Sequence, residues 1–379
     1  MSRLLHIFSL VTLSGILLFA PTADAAKTSA AHRKATPAPA KSAAVAVNPI
    51  EKIKKLKENN CIVELRSYIV EVDAENNSAS ATMGAGSAVS VAIQGTNYML
   101  TNAHVIDGAT EAWALFESGI TPKEMRIKGY DKVIDIALLT FVDKNFHPPC
   151  VVPLGNSDTL SAGDSVYAIG TSFERFMFSK GYVMKTKGRI VSGDEMFGIN
   201  AMHLDAIYSD ININPGFSGS PLFNENGELV GLNEGVLPSP PLLVPVPFSI
   251  PVNLIKRALP KVLEGGEVRH GLVNVYLEDS KLFTPPDKYA GITLKPRNGP
   301  VVLAVALLSS AERAGIEKND MIVAIGNIPT PTVRDFYATM IFKLQPQTVV
   351  KLTILRTENG ENVYKTIDVP VEEFTVSFH

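Results

Sequence analysis

From residue 61 onward the chain is written in short apolar runs of strand length, broken by turn residues, and helical periodicity does not return until residue 251. The runs fall at 62–70, 86–93, 98–101, 112–116, 125–130, 137–142, 165–170, 182–192, 202–208, 221–223 and 228–233. Many short strands with close turns define a mainly β unit, a barrel or a sandwich. Residues 73–82 (DAENNSASAT) read as a polar loop, and 94–97 (QGTN) as a hairpin turn between two strands. Ahead of this unit, 49–60 is a short amphipathic helix with Ile50, Ile53 and Leu56 on one stripe. Behind it, 251–263 is a helix opened by a proline and closed by Gly265-Gly266.

A second unit follows over 264–379. Strands are expected at 301–306 and 321–325, a helix at 332–342, and a hairpin of 349–356 with 363–369 across Glu358-Asn359-Gly360-Glu361. With 379 residues the chain has room for two domains, here 49–263 and 264–379.

The amino terminus reads as an export signal. Arg3 starts it, an interrupted apolar run covers 4–20, and Ala23-Asp24-Ala25 offers small residues at a cleavage site. The run is marginal against the roughly 20 apolar residues that cross a bilayer. The expected layout is a signal peptide at 1–25 and a disordered Ala/Pro/Lys-rich linker at 26–48. The mature chain is then soluble and periplasmic, with no membrane span after cleavage. In that oxidising compartment Cys61 and Cys150 form one disulfide or remain two buried thiols, and the sequence leaves both open. Neither cysteine has metal-ligand spacing, so no metal and no cofactor is expected. A net charge of −3 and a pI near 6.2 give no basis for a nucleic-acid partner.

The stretch Asn214-Pro215-Gly216-Phe217-Ser218-Gly219-Ser220-Pro221-Leu222 carries the chemistry. Two glycines permit backbone closed to other residues, so the amides of Gly216 and Ser218 can converge beside one hydroxyl. A nucleophile with donors aimed at a developing oxyanion is what acyl transfer needs. The plain alternative is a Ser/Gly/Pro surface turn. His104 ends an apolar strand, where a lone histidine is more often structural. Asp135 is the one carboxylate in the apolar run 133–139, and such an Asp needs a partner. Backbone amides of a turn supply one answer, and the imidazole N–H of His104 the other.

The chain order His104, Asp135, Ser218 on a β-rich unit resembles the chymotrypsin-type arrangement. TNAHVI at 101–106, DIALL at 135–139, LGNSD at 154–158, NPGFSGSPL at 214–222 and PFSIPVNLIKRAL at 247–259 are similar to the HtrA (DegP-like) exported serine proteases. GPVVLAVALLSSAERAGIEKNDMIVAIGNIP at 299–329 is similar to the PDZ domain that follows in that family. The resemblance implies a chymotrypsin-like double β-barrel and a PDZ-like domain, with His104, Asp135 and Ser218 as triad and Gly216 and Ser218 as oxyanion hole. It implies a serine endopeptidase acting on unfolded or misfolded envelope proteins. The alternative is a catalytically weak protease fold that holds clients through its PDZ domain. Peptide C-termini are implied partners at Leu272-Val273-Asn274-Val275, and a homotrimer is the implied assembly.

Several positions depart from the family pattern. Phe217 stands where Asn is common and is expected to alter how the oxyanion hole forms. Ser220 replaces a Gly, which costs about 1–2 kcal/mol if the position needs a positive φ. Asn212, six residues before the serine, is not the Asp that selects basic side chains. With the small or apolar walls 211–213 and 231–236, it predicts small or medium aliphatic P1 residues. The proline-rich loop 237–247 reads as a stiff surface loop or a border of that pocket. Asn274 stands where the carboxylate-binding loop often has Gly.

Overall fold

The computed structural model describes residues 48–73, 78–117, 119–172, 175–193, 201–237, 245–280 and 299–376. The signal and nearly all of the linker expected at the amino terminus, and most of loop 237–247, lie outside the described residues.

Helix α1 (Pro49–Glu58) begins where Asn48 accepts a hydrogen bond from the Ile50 amide, and Pro49 occupies a position whose amide would be unsatisfied anyway. Its Ile53 is completely buried. Six strands follow: β1 (Ile62–Asp73), β2 (Ser78–Ile93), β3 (Thr96–Thr101), β4 (Glu111–Leu115), β5 (Lys123–Asp131) and β6 (Ile136–Phe141). They run in the order β5-β4-β1-β2-β3-β6, and pairing of β5 with β6 closes them into a barrel. A second closed barrel is built from β7 (Ser165–Ser172), β8 (Arg175–Gly193), β9 (Ala201–Ser209), β10 (Pro221–Phe223), β11 (Leu229–Leu237) and β12 (Val246–Pro251). Closure removes sheet edges, which is how an antiparallel chain of this kind avoids intermolecular pairing.

Each barrel fills its interior with alternate strand residues. Val63, Leu65, Ala88, Met99, Ala114 and Leu139 pack the first, and Val166, Ala168, Val183, Ile207, Phe217, Leu222 and Val230 the second. Between them runs a third cluster, where Ile62, Val91, Leu100 and Leu138 meet Tyr167, Ile169 and Leu232. Helix α2 (Val252–Glu264) seals this seam with Val252, Ile255, Leu259 and Val262. Cys61 and Cys150 are joined in a disulfide with Cα atoms 5.1 Å apart. This resolves the open question about the two thiols.

Two local expectations are corrected. The segment 73–82 is not one polar loop: β1 extends to Asp73 and β2 starts at Ser78, in register Asp73↔Ser78 and Ile69↔Thr82. Ladder hydrogen bonds use the backbone, so polar side chains do not by themselves prevent strand pairing. The turn after β2 has two residues rather than four. Ile93 pairs with Thr96, and Gln94 and Gly95 take φ of 51° and 80°, the mirror-image turn that matches strand twist.

The chain then lays down β13 (Gly266–Glu267), β14 (His270–Leu272), β15 (Val275–Asp279), β16 (Pro300–Val305), helix α3 (Ser310–Arg313), β17 (Met321–Ile325), β18 (Ile328–Pro329), helix α4 (Val333–Lys343), β19 (Val349–Glu358), β20 (Glu361–Pro370) and β21 (Glu372–Phe374). One sheet runs β15-β16-β17-β19-β20 with β18 on β17, while β14 pairs with β21. The expected hairpin forms, with a turn of two residues rather than four: Glu358 pairs with Glu361, and Asn359 and Gly360 take φ of 51° and 83°. α4 is capped by Thr332, whose hydroxyl accepts from the Asp335 amide, and buries Phe336, Tyr337 and Met340 against the sheet. β13 pairs in parallel with β5, Gly266 opposite Gly129 and Glu267 opposite Tyr130.

Candidate active site

Pairing of β3 with β6 sets Thr101 opposite Ala137, so the residues that follow one strand and precede the other meet at the barrel rim. His104 opens a single 3-10 turn there, and Asp135 closes the turn between β5 and β6 with a left-handed backbone, φ 60°. Left-handed backbone is unfavourable for most residues, and Asp is among the few that tolerate it. The neighbours hold it. Asn102 Nδ2 donates to the Asp135 carbonyl at 2.8 Å. Asp131 Oδ1 accepts the amides of Val133 and Ile134, both at 3.0 Å, and so fixes the start of the same turn.

The two answers that the sequence offered for Asp135 are both realised. Its Oδ1 accepts the His104 amide at 2.8 Å, and its Oδ2 lies 2.7 Å from His104 Nδ1. Burial pushes the imidazole pKa down. The hydrogen bond to Asp135 and the carboxylate's charge push it up and prevail, so the pKa lies above the ordinary value.

Ser218 comes to the seam between the barrels from the second one. Its carbonyl accepts from the Ser87 amide of β2 at 2.8 Å, across the seam. A Cβ at Gly86 would stand 2.6 Å from Val105 and 3.0 Å from the Ser218 carbonyl oxygen, so Gly86 lets the histidine turn and the serine turn close on one another. The serine hydroxyl donates to the main-chain oxygen of Glu234 on β11 at 2.9 Å.

The turn around Ser218 is tightly specified. Gly216 and Gly219 have φ of 99° and 81°, and a Cβ would strike the Thr171 carbonyl at the first and the Ser87 carbonyl at the second. The Gly216 carbonyl accepts from Ser87 Oγ at 2.8 Å. Amides on either side are committed: Phe217 N to Asn214 O, Gly219 N to Asn233 O and Ser220 N to Phe217 O, all at 2.8–2.9 Å. Among the described residues, none accepts from the amides of Gly216 and Ser218, the two expected to form the oxyanion hole.

The departures in this turn have structural reasons. Phe217 is 1% exposed and plugs the second barrel beside Gly170, where a Cβ would come within 2.8 Å of the ring. Ser220 has no positive φ, so the anticipated strain is absent. Its buried hydroxyl accepts from Asn233 Nδ2 at 2.9 Å, and Asn233 Oδ1 accepts from Ser249 Oγ at 2.7 Å. Asn212 is exposed, and its amide donates to Ser179 Oγ at 2.8 Å.

The wall 231–236 is not simply small or apolar, since it carries Glu234. Glu234 Oε2 is buried with no hydrogen-bond partner among the described residues. Burial, and then the charge of Asp135, push this carboxyl well above the usual carboxylate range. A glutamate inside the strand LVGLNEGVL was the signal available for it. Leu272, Val273, Asn274 and Val275 lie where β14 passes into β15, all buried. The Val273 amide meets Met340 Sδ at 3.4 Å and the Val275 amide donates to Val273 O at 2.8 Å. Capture of a carboxylate there requires these amides to be uncovered.

The trypsin-like peptidase domain family matches residues 86–232, and the PDZ domain family residues 286–371. A putative serine protease HhoA of Synechocystis sp. is 30% identical over 249 residues, 65% of this chain and 61% of that protein. A probable periplasmic serine endoprotease DegP-like of Chlamydia trachomatis is 30% identical over 280 residues, 72% of this chain and 51% of that protein. The chain thus spans between half and two thirds of these relatives. The solved HtrA-type protease AlgW with a tripeptide superposes with a TM-score of 0.61 at 25% identity, covering 85% of this chain and 96% of that one. Two closed barrels, the DegP-like relatives and the trailing PDZ domain agree: the chain carries a trypsin-like peptidase domain followed by a PDZ domain and is similar to the HtrA-type serine proteases.

Proposed function

We propose that the chain is an exported serine endopeptidase that cleaves unfolded or misfolded envelope proteins, with His104, Asp135 and Ser218 as its triad. The observation that carries this is the bidentate hold of Asp135 on His104, at a barrel seam where Ser218 arrives with two uncommitted amides. His104 Nε2 takes the Ser218 proton as the oxygen attacks the scissile carbonyl, and the amides of Gly216 and Ser218 stabilise the oxyanion. The tetrahedral adduct collapses to an acyl-enzyme as His104 gives that proton to the leaving amine. Water, deprotonated by His104, then releases the acid and restores Ser218. Asp135 holds the tautomer with Nε2 unprotonated and stabilises the imidazolium. Hydrolysis of casein by the mature chain, abolished by Ser218→Ala, tests the reading, and activity retained in that variant removes it.

The periplasmic names of the relatives and the apolar run at 4–20 support export. Among the described residues, no helix is long and apolar enough to cross a membrane. Small or medium aliphatic P1 residues fit the absence of an acid at Asn212, and a peptide library cut after Lys or Arg would contradict this. The PDZ domain takes peptide C-termini at 272–275 once those amides open, and the assembly is a trimer, which light scattering reads directly.

A second reading has its own support. The Ser218 hydroxyl donates to the Glu234 carbonyl, so the nucleophile rests in a state that needs a trigger. A chain that stays in that state is a client-holding protein. A fluorophosphonate probe separates the two, because only an activated Ser218 becomes labelled.

A further inference from the structure

The chain leaves the second barrel through α2 and, before entering the PDZ domain, anneals to the first barrel as β13. The Val268 amide donates to Tyr130 O at 2.9 Å, which continues the contact beyond the two paired residues. Two residues later His270, on β14, is 3% exposed and reaches Asp131 at the end of β5, itself 1% exposed. His270 Nε2 stands 2.9 Å from Asp131 Oδ2, and His270 Nδ1 stands 3.0 Å from the main-chain oxygen of Ile341 on α4.

Both partners are acceptors. A carbonyl oxygen can only accept, so Nδ1 carries a proton. Asp131 Oδ2 faces Nε2, and a ring that donates from Nε2 as well satisfies both contacts. In that form His270 is an imidazolium enclosed between two domains. One face of the Asp131 carboxylate holds this cation from the PDZ side. The other face holds the turn 131–134 that delivers Asp135 in its left-handed conformation.

We propose that His270 is a positioning residue for Asp135, acting through Asp131, so that the docking of β14 and α4 sets the geometry of the active site. The inference rests on the catalytic reading of Asp135 given above. The charged groups facing His270 are Asp131 on β5 and those lining the adjoining cleft. The latter are Arg257, Lys261 and Glu264 on α2, Glu267 on β13, Arg269 on β14 and Lys343 on α4. Of these, Arg269 pairs with Glu373 and Lys261 with Glu264, and Asp131 alone bonds the ring. Burial lowers the pKa of His270, while the Asp131 hydrogen bond, its charge and the Ile341 carbonyl raise it, with a net rise. The link is complete when the ring is charged and weakens as pH climbs through that raised value.

A mere docking contact predicts lost stability and nothing else. Two variants of the full chain separate the cases. His270→Gln cannot donate in both directions. Asp131→Asn keeps an oxygen for the Val133 and Ile134 amides and sets an NH2 against Nε2. The first readout is the downfield NMR proton of His104 Nδ1–H, followed with pH in a Ser218→Ala background. Both variants are expected to shift the His104 titration by about half a pH unit or more and to broaden that proton. The second is peptide hydrolysis, where kcat is expected to fall about tenfold with KM within about twofold, and the alkaline decline of wild-type kcat to disappear. If both variants melt cooperatively and leave the His104 titration unchanged, the proposal is overturned. Should His270→Gln fail to fold, Asp131→Asn decides alone. Wild-type protein that neither hydrolyses nor labels, while the two variants still shift the His104 titration, overturns the catalytic reading and leaves the coupling standing.

Discussion

Asp135 grips His104 twice, with Oδ2 at 2.7 Å from the ring Nδ1 and Oδ1 at 2.8 Å from the main-chain nitrogen. The second contact aims the ring by fixing the backbone that carries it. Asp135→Asn keeps the shape and one acceptor, but it can set an N–H against Nδ1 and favour the tautomer that cannot accept the serine proton. We expect kcat to fall about 10⁴-fold with KM little changed. Peptide kinetics check it, and a loss under about tenfold would be evidence against the assignment.

The pH dependence has a definite sign. Burial depresses the His104 pKa, but the Asp135 bond and charge prevail and raise it. A general base must be unprotonated, so activity should climb through a value above that of a free histidine. The same raised pKa means that the His104–Asp135 pair stabilises the fold most fully below the unfolded histidine pKa. That contribution fades as pH rises through the folded value. Fluorophosphonate labelling rates across pH, beside thermal melts, read both trends.

Glu234 should behave in the same direction for a different reason. Its carboxyl is raised by burial and by Asp135, so the folded state holds a proton that the unfolded chain releases. Stability then declines as pH rises from the ordinary carboxylate pKa toward the raised one. Glu234→Gln removes that decline and is expected to melt higher than wild type at neutral pH. Equal melting temperatures at neutral pH, with the same slope in acid, would rule this out.

The disulfide ties two positions 89 residues apart at the start of β1 and ahead of β7. Replacing both cysteines with serine should cost about 2–5 kcal/mol, in line with a closed loop of that size. Urea unfolding of the oxidised protein against the double variant measures it, and wild type in reductant should match the variant.

Phe217 is a packing residue next to a catalytic candidate, so its two effects are separable. Phe217→Ala should lose about 3–5 kcal/mol of stability by emptying the second barrel. Activity should drop further than the unfolded fraction explains, because the peptide between Phe217 and Ser218 carries one of the two amides proposed for the oxyanion hole. Denaturation and active-site titration on the same sample distinguish the two.

The contiguous words of the sequence were legible because their meaning is local. Gly216 and Gly219 announce backbone that only glycine adopts, and Asn359-Gly360 announces a two-residue hairpin. The pairing of His104 with Asp135 was readable because each sits inside a distinctive short word. Asp131, Glu234 and His270 were not, because their partners come from remote elements. His270 and Asp131 are 139 residues apart, and nothing around either names the other. Ser220 misled in the opposite way: the concern was its Cβ, while its hydroxyl belongs to a buried chain with Asn233 and Ser249.

The short strand β13 has a consequence for anyone cutting the chain in two. The first half of β5 is covered on one side by β4, which pairs with Lys123, Glu124 and Met125, whereas Gly129 and Tyr130 are covered there by β13. A fragment ending at residue 263 would bare that stretch and leave the Asp131 carboxylate without its cation. An open strand end of this kind is a template for another chain. Such a peptidase fragment should clump or pair edge to edge where the intact protein does not, and a fragment carried through residue 268 should behave better.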